Sequence, residues 1–173
     1  MPHRETFPTR RDPLSGWRRL AARLPILLFR AGLGPVIGKR FLLLHHAGRT
    51  TGLDRRAVLE VVTYDAPHRG WIIASGFGPG SDWYRNLRAQ PKTVVQVGNR
   101  HHAVTARFLT PDDGAAIMTD YARRHPRTAR RLCAFLGLPA DGGETSYREA
   151  GRAIPFVRLE AADVPRPRGG GRG

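Results

Sequence analysis

The chain has 173 residues, a single cysteine, and 29 Lys and Arg against 14 Asp and Glu, for a formal charge of +15. That length fits one domain able to bury about 70% of its unfolded surface, and 40% hydrophobic residues exclude a wholly disordered chain. The lone Cys133 excludes an intrachain disulfide and a cysteine-rich zinc site, and points to a reducing compartment.

The charge is unevenly spread. Residues 1–40 hold nine cations and two anions, residues 41–120 nine and seven, and 27 of the 29 cations are arginine. Such an excess suits a polyanionic ligand, an anionic lipid surface or nucleic acid, and charge alone does not choose. The most apolar stretch, residues 24–38, is interrupted by Pro25, Arg30 and Pro35. It falls short of the roughly 20 apolar residues a spanning helix needs. No small-x-small cleavage site follows Thr9-Arg10-Arg11, so the expected location is cytoplasmic. Leu14, Trp17, Leu20, Leu24 and Leu27 recur at helical spacing, with Arg18, Arg19, Arg23 and Arg30 between them. This predicts an amphipathic helix within a basic N-terminal arm, residues 1–38, that packs on the domain or lies peripherally on the inner face of an anionic membrane.

From residue 39 the pattern is that of strands. Residues 41–46 form a short apolar run closed by a turn, residues 47–52; residues 57–64 are β-branched and apolar; and residues 71–75 return after a hairpin loop. Gly76-Phe77-Gly78-Pro79-Gly80 is too glycine-rich for a regular element, and Ser81 or Asp82 can cap a helix over residues 83–90. A hairpin follows, residues 93–97 and 102–108 around Gly98-Asn99. Thr110-Pro111-Asp112-Asp113 starts a helix reaching about Arg124, and a basic helix covers residues 127–136. Residues 139–146 read as a polar loop, Tyr147 as part of the loop before the last strand, residues 154–159 as that strand, and residues 161–173 as a disordered tail. The expectation is an α+β fold, a small closed or split β-barrel of about six mostly antiparallel strands with inserted helices over residues 39–160.

Two loops carry the anion-binding chemistry. In Gly48-Arg49-Thr50-Thr51-Gly52-Leu53-Asp54-Arg55-Arg56, glycines admit an anion close to the backbone, hydroxyls add donors, and Arg55 or Arg56 can fork onto phosphate. Ser75-Gly76-Phe77-Gly78 leads into the helix bearing Trp83, Tyr84 and Asn86, whose N-terminus can cradle an anion or a carbonyl. Both loops leave neighbouring strands, so they are expected to converge. On the strand after the first loop, Glu60 is expected to share a face with Val58, Val62 and Tyr64; it is either a proton donor or one half of a structural ion pair. His45-His46 and His101-His102 point to opposite faces of their strands and predict no metal site. The arginine helix (Arg123, Arg124, Arg127, Arg130, Arg131) has no accompanying nucleic-acid-binding signature, so no specific nucleic-acid partner is expected.

The ordered set Gly48-Arg49-x-Thr51-Gly52-x-x-Arg55, Ala74-Ser75, Trp83-Tyr84-x-Asn86-Leu87-x-Ala89-x-Pro91 and Arg152-x-Ile154-Pro155-x-Val157 resembles the deazaflavin-dependent nitroreductase family, also called deazaflavin-dependent quinone reductases. The resemblance implies a split β-barrel binding coenzyme F-420, whose reduced form gives a hydride to quinones, nitro compounds or enones. FMN is the alternative cofactor, and a non-catalytic basic module is the alternative function. It further implies that Arg49, Thr51 and Arg55 meet the phosphate and tail, and the turn chemistry adds Gly52 and Arg56 to that set. Ser75, Gly76, Phe77, Gly78, Trp83, Tyr84 and Asn86 would hold the ring and tail. Tyr147 falls near tyrosines that surround the acceptor in relatives and would supply a proton after hydride transfer. Thr50 and Gly76 stand where many relatives carry lysine, leaving Arg56 or Arg85 to compensate.

Overall fold

The two-residue period of a strand sends Leu42 and Leu44 to one face of the first strand, and a closed sheet is what buries that face completely. The structure, a computed structural model, describes residues 38–139 and 141–162; the N-terminal arm with its amphipathic helix and the tail beyond Ala162 lie outside them. Within them run β1 (Phe41–Ala47), β2 (Asp54–Asp65), β3 (Gly70–Ala74), β4 (Lys92–Val97), β5 (Arg100–Phe108) and β6 (Phe156–Ala161). They close in the order β1-β2-β3-β6-β5-β4, and every pairing is antiparallel. The expected barrel is therefore present. Leu42, Leu44, Ile73, Val95, Val104, Ala106, Val157 and Leu159 fill its interior.

Four helices complete the described fold: α1 (Asp82–Ala89), α2 (Pro111–Arg124), α3 (Pro126–Leu136) and α4 (Glu144–Ala153). None is long and apolar enough to cross a membrane. Helix α1 adds Tyr84 and Leu87 to the barrel core and so closes one end of it. Helix α2 starts where its sequence demanded. Thr110 accepts from the Asp113 amide at 3.2 Å, and the Asp113 carboxylate accepts from the Thr110 amide at 3.0 Å. On the outer face of the barrel, Ile72, Phe156 and Val62 pack with Ile117, Leu138 and Ile154.

Three expectations need correction. The polar loop expected before the last strand ends early: residues 144–153 form α4, and Tyr147 lies on that helix. Gly142 and Gly143 break the chain ahead of it, but Gly151 is a contact with α2 rather than a breaker. Strand β2 begins at Asp54 rather than at residue 57, so Arg55 and Arg56 belong to a strand, and β6 runs to Ala161. Tyr64 does not share a face with Glu60 and Val62. A bulge between Val61 and Thr63 shifts the β2–β3 register, and Tyr64 then pairs with Trp71 and stacks against it at 5.6 Å.

Candidate functional site

The β1–β2 turn closes on itself before it contacts anything else. The Gly48 amide donates to the Leu53 carbonyl at 2.9 Å and the Gly52 amide to the Gly48 carbonyl at 2.7 Å. Gly52 adopts φ +66°, the left-handed conformation that glycine takes without steric cost. A Cβ on Gly48 would sit 2.6 Å from Thr51 Oγ1 and 3.2 Å from Arg55 Nε, so any larger residue would displace these side chains from the turn.

Arg49 is then held from two sides. Asn86 Oδ1 accepts from the Arg49 backbone amide and from Arg49 Nη1, each at 3.1 Å, and Arg49 Nη1 also donates to Asp82 at 3.2 Å. On its other side Asn86 Nδ2 lies 2.9 Å from His46 Nδ1. Asn86 and His46 are 2% and 7% exposed, so water does not compete for the bond between them, whereas the Arg49–Asp82 pair faces solvent. Burial first, and then the positive charge of Arg55, hold His46 below the ordinary imidazole pKa.

The guanidinium of Arg49 keeps Nε and Nη2 without a hydrogen-bond partner among the described residues. Arg55 has neither hydrogen bond nor ion pair among them. It is the register partner of His46, whereas Arg56 is opposite His45 and pairs with Asp54 at 3.6 Å. Strand alternation thus turns Arg55 and Arg56 to opposite faces, and the two cannot grip one anion together from the same side.

The second loop is tied internally. Ser75 is 1% exposed; its hydroxyl donates to the Gly78 carbonyl at 2.6 Å and lies 2.8 Å from Ser81 Oγ. Ser81 occupies the N-cap position of α1, yet its side chain bonds back to this loop instead of capping. Gly78, at φ +72°, makes that tight path possible, and Phe77 projects outward beside Gly76. The loop fixes where α1 begins, and Asp82 and Asn86, four residues apart, therefore present one face to Arg49. The two connections leave the same end of the barrel and meet through α1. Tyr84 points the other way, into the core, edge-on to Phe108 at 5.0 Å, with Trp83 half-buried beside it at 5.7 Å.

The remaining site residues lie elsewhere. Glu60 is half exposed on the outer face and pairs with Arg40 at 3.0 Å. Tyr147 is 6% exposed, packed against Met118, Ala122, Ala129 and Cys133, and it lines a cavity of about 280 Å³ with Thr119, Arg123, Arg130 and Glu144. Its hydroxyl has no hydrogen-bond partner among the described residues. Neither residue shares a hydrogen bond with the Arg49 cluster. At the opposite barrel end Tyr64, Trp71 and His102 border an open cavity of about 1010 Å³ with Val97, Lys39 and Arg100.

His46 and Asp82 are the site residues that sequence reasoning missed. The alternation that set His45 and His46 on opposite faces also assigns His46 to the inward face of Leu42 and Leu44, next to the turn. That signal was available. The sequence marks Asp82 only as a possible helix cap.

A family model for F420H(2)-dependent quinone reductase matches residues 30–133, more than half of the chain. The F420H(2)-dependent quinone reductase Rv1261c of Mycobacterium tuberculosis (strain ATCC 25618 / H37Rv) is 36% identical over 87 residues, covering 47% of this chain and 52% of that protein. The F420H(2)-dependent quinone reductase MT1299 of Mycobacterium tuberculosis (strain CDC 1551 / Oshkosh) matches to the same extent. The chain spans about half the length of these curated relatives. Among solved structures, a domain-swapped dimer is similar at TM-score 0.50 and 20% identity, covering 86% of this chain and 100% of that one. The conserved hypothetical protein Rv2991 from Mycobacterium tuberculosis is similar at TM-score 0.50 and 14% identity, covering 77% and 80%. At such identities the structures show a shared fold and nothing more.

Proposed function

The chain belongs to the family of F420H(2)-dependent quinone reductases, and from that premise we propose that it binds reduced coenzyme F-420 and serves hydride transfer to an electron-poor acceptor such as a quinone, nitro compound or enone. The coenzyme, when bound, supplies the hydride-donating deazaflavin ring; the protein supplies binding, orientation and electrostatics. The observation that carries the reading is the junction of Arg49 with Asp82 and Asn86, which fastens the basic turn to the helix behind the glycine loop.

The donor set fits a phosphodiester with a carboxylate tail. Arg49 presents Nε and Nη2, Arg55 presents an unpaired guanidinium on the face of His46, and Thr51 brings its hydroxyl beside Gly48. Arg56 serves less directly, because strand alternation turns it to the face opposite Arg55 and His46. Asn86 acts through Arg49, and Ser75, Gly78 and Ser81 act by fixing the start of α1. Gly76, Phe77 and Trp83 form the outer surface of the same end and are the groups placed to meet the ring. Tyr147 opens on a cavity separate from the Arg49 cluster, so the fold does not bring it to that site, and its proposed part as proton donor rests on its unpartnered hydroxyl alone. Glu60 is accounted for by its ion pair with Arg40.

The test is a calorimetric titration of the protein with coenzyme F-420 and, in parallel, with FMN. Binding of coenzyme F-420 in preference to FMN, followed by oxidation of the reduced coenzyme when menadione is added, is the expected result. Preference for FMN, or no binding of either, would overturn it.

A further inference from the structure

We propose that His46 is a positioning residue that holds Arg49 in its anion-binding pose only while its imidazole is neutral, so that anion binding at the β1–β2 turn weakens on acidification. The inference rests on reading Arg49 as an anion contact, and it assigns a regulatory chemistry to that same site.

The argument begins with the amide of Asn86. Its Oδ1 faces two groups that can only donate, the backbone amide and Nη1 of Arg49, each at 3.1 Å. The orientation of the amide is therefore determined: oxygen toward Arg49, nitrogen toward His46. Nδ2 carries only hydrogens, so the His46 Nδ1 that lies 2.9 Å away must offer a lone pair. The ring is then the tautomer with its hydrogen on Nε2, and it is uncharged.

Protonation removes that lone pair. An Nδ1–H facing Nδ2–H sets donor against donor in a buried pocket, where neither has water to turn to. Rotating the Asn86 amide relieves His46 but presents –NH₂ to both Arg49 donors. Either way one side of the relay must break, and Arg49 loses the partner that fixes its backbone and its side chain together.

The charged neighbours of His46 come from each element packed against it. Arg55 on β2 opposes its protonation, as does His45 beside it on β1, while Asp54 at the start of β2 and Asp82 on α1 favour it. Burial adds to the first group, and together they place the titration below the ordinary value of 6.5. The switch therefore acts on the acidic side of neutrality.

The experiment pairs wild type with His46→Asn, whose side-chain carbonyl supplies an acceptor near Nδ1 that cannot be protonated. Affinity for coenzyme F-420 is measured by calorimetry from pH 7.5 to pH 5. The coenzyme's own ionisations are common to both proteins, so the difference between the two profiles belongs to His46. Wild type is expected to lose affinity relative to the variant toward the acid end of this range, as the competent fraction falls. Superimposable profiles overturn the proposal. A second arm needs no ligand: ¹⁵N NMR of the imidazole and of the Arg49 amide. An Nε2–H tautomer at pH 7.5, with the Arg49 amide shifting as His46 titrates, supports the relay. An Nδ1–H tautomer, or an Arg49 amide unmoved through that titration, overturns it. Should neither protein bind the coenzyme at any pH, the functional reading fails and the NMR arm alone decides the relay.

Discussion

Gly114 on α2 and Gly151 on α4 meet backbone to backbone. A Cβ built on either would lie 2.4 Å from the other's carbonyl oxygen. Neither obstacle is a flexible side-chain tip, so the helices themselves must separate to admit a methyl group. Gly151→Ala is expected to destabilise the protein by about 1–3 kcal/mol, the range for overpacking a fitted contact. Urea unfolding would show it as a lower midpoint with unchanged slope. A variant as stable as wild type would mean that the helices adjust without cost.

Arg55 and Arg56 are adjacent in sequence and opposite in direction. Arg55→Ala is expected to weaken coenzyme F-420 binding by about 1.5–3 kcal/mol, the range for a hydrogen bond to a charged group, while leaving stability intact. Arg56→Ala is expected to cost markedly less, because its guanidinium lies on the other face beside Asp54. Calorimetric titration of both variants compares them directly, and equal losses would show that the anion reaches around the strand.

Stability should respond to mild acid. His45, His46 and His102 are each held below the ordinary histidine value, burial being the first cause in all three. Folded pKa values lower than unfolded ones mean that the unfolded chain binds more protons as pH falls below 6.5. Their contribution is therefore full above that value and is lost as pH drops through the folded values. The melting temperature should be flat from pH 8 to pH 7 and fall toward pH 5, with a shallower fall in His46→Asn. Asp65, Asp113 and Glu160, whose carboxylates are held low by hydrogen bonds and neighbouring cations, act in a separate and more acidic window.

Tyr147→Phe removes one oxygen that has no described partner, so folding should be unaffected. If the phenol donates the proton that follows hydride transfer, turnover with menadione should fall by about 10²-fold or more while affinity for coenzyme F-420 stays the same. Unchanged turnover would leave Tyr147 as packing between α2, α3 and α4.

Much of this was legible in the chain because the responsible physics is local. Phe41 to Leu44 form a short apolar run, Gly98-Asn99 makes a two-residue turn, and Thr110 to Asp113 is a complete capping signal. Each needs only its own few residues to act. Helix α4 was hidden for the converse reason: taken alone, Gly142, Gly143 and Gly151 speak for a loop, and the helix is stabilised by Tyr147 and Ala150 packing against α2 and α3. The bulge near Val62 was equally invisible, since a two-residue period shows no slip until a partner strand defines the register.

The sequence by itself determined the barrel, its approximate strands, the two glycine-bearing connections and the arginines beside them, all of which follow from periodicity and turn chemistry over short spans. Only the tertiary structure decided that Arg49 is held by Asp82 and Asn86, that His46 stands behind Asn86, and that Arg55 and Arg56 part company. Hydrogen bonds between residues some 40 positions apart depend on how α1 docks across the barrel end, and that docking is set by the burial of Tyr84 and Leu87 rather than by any local pattern.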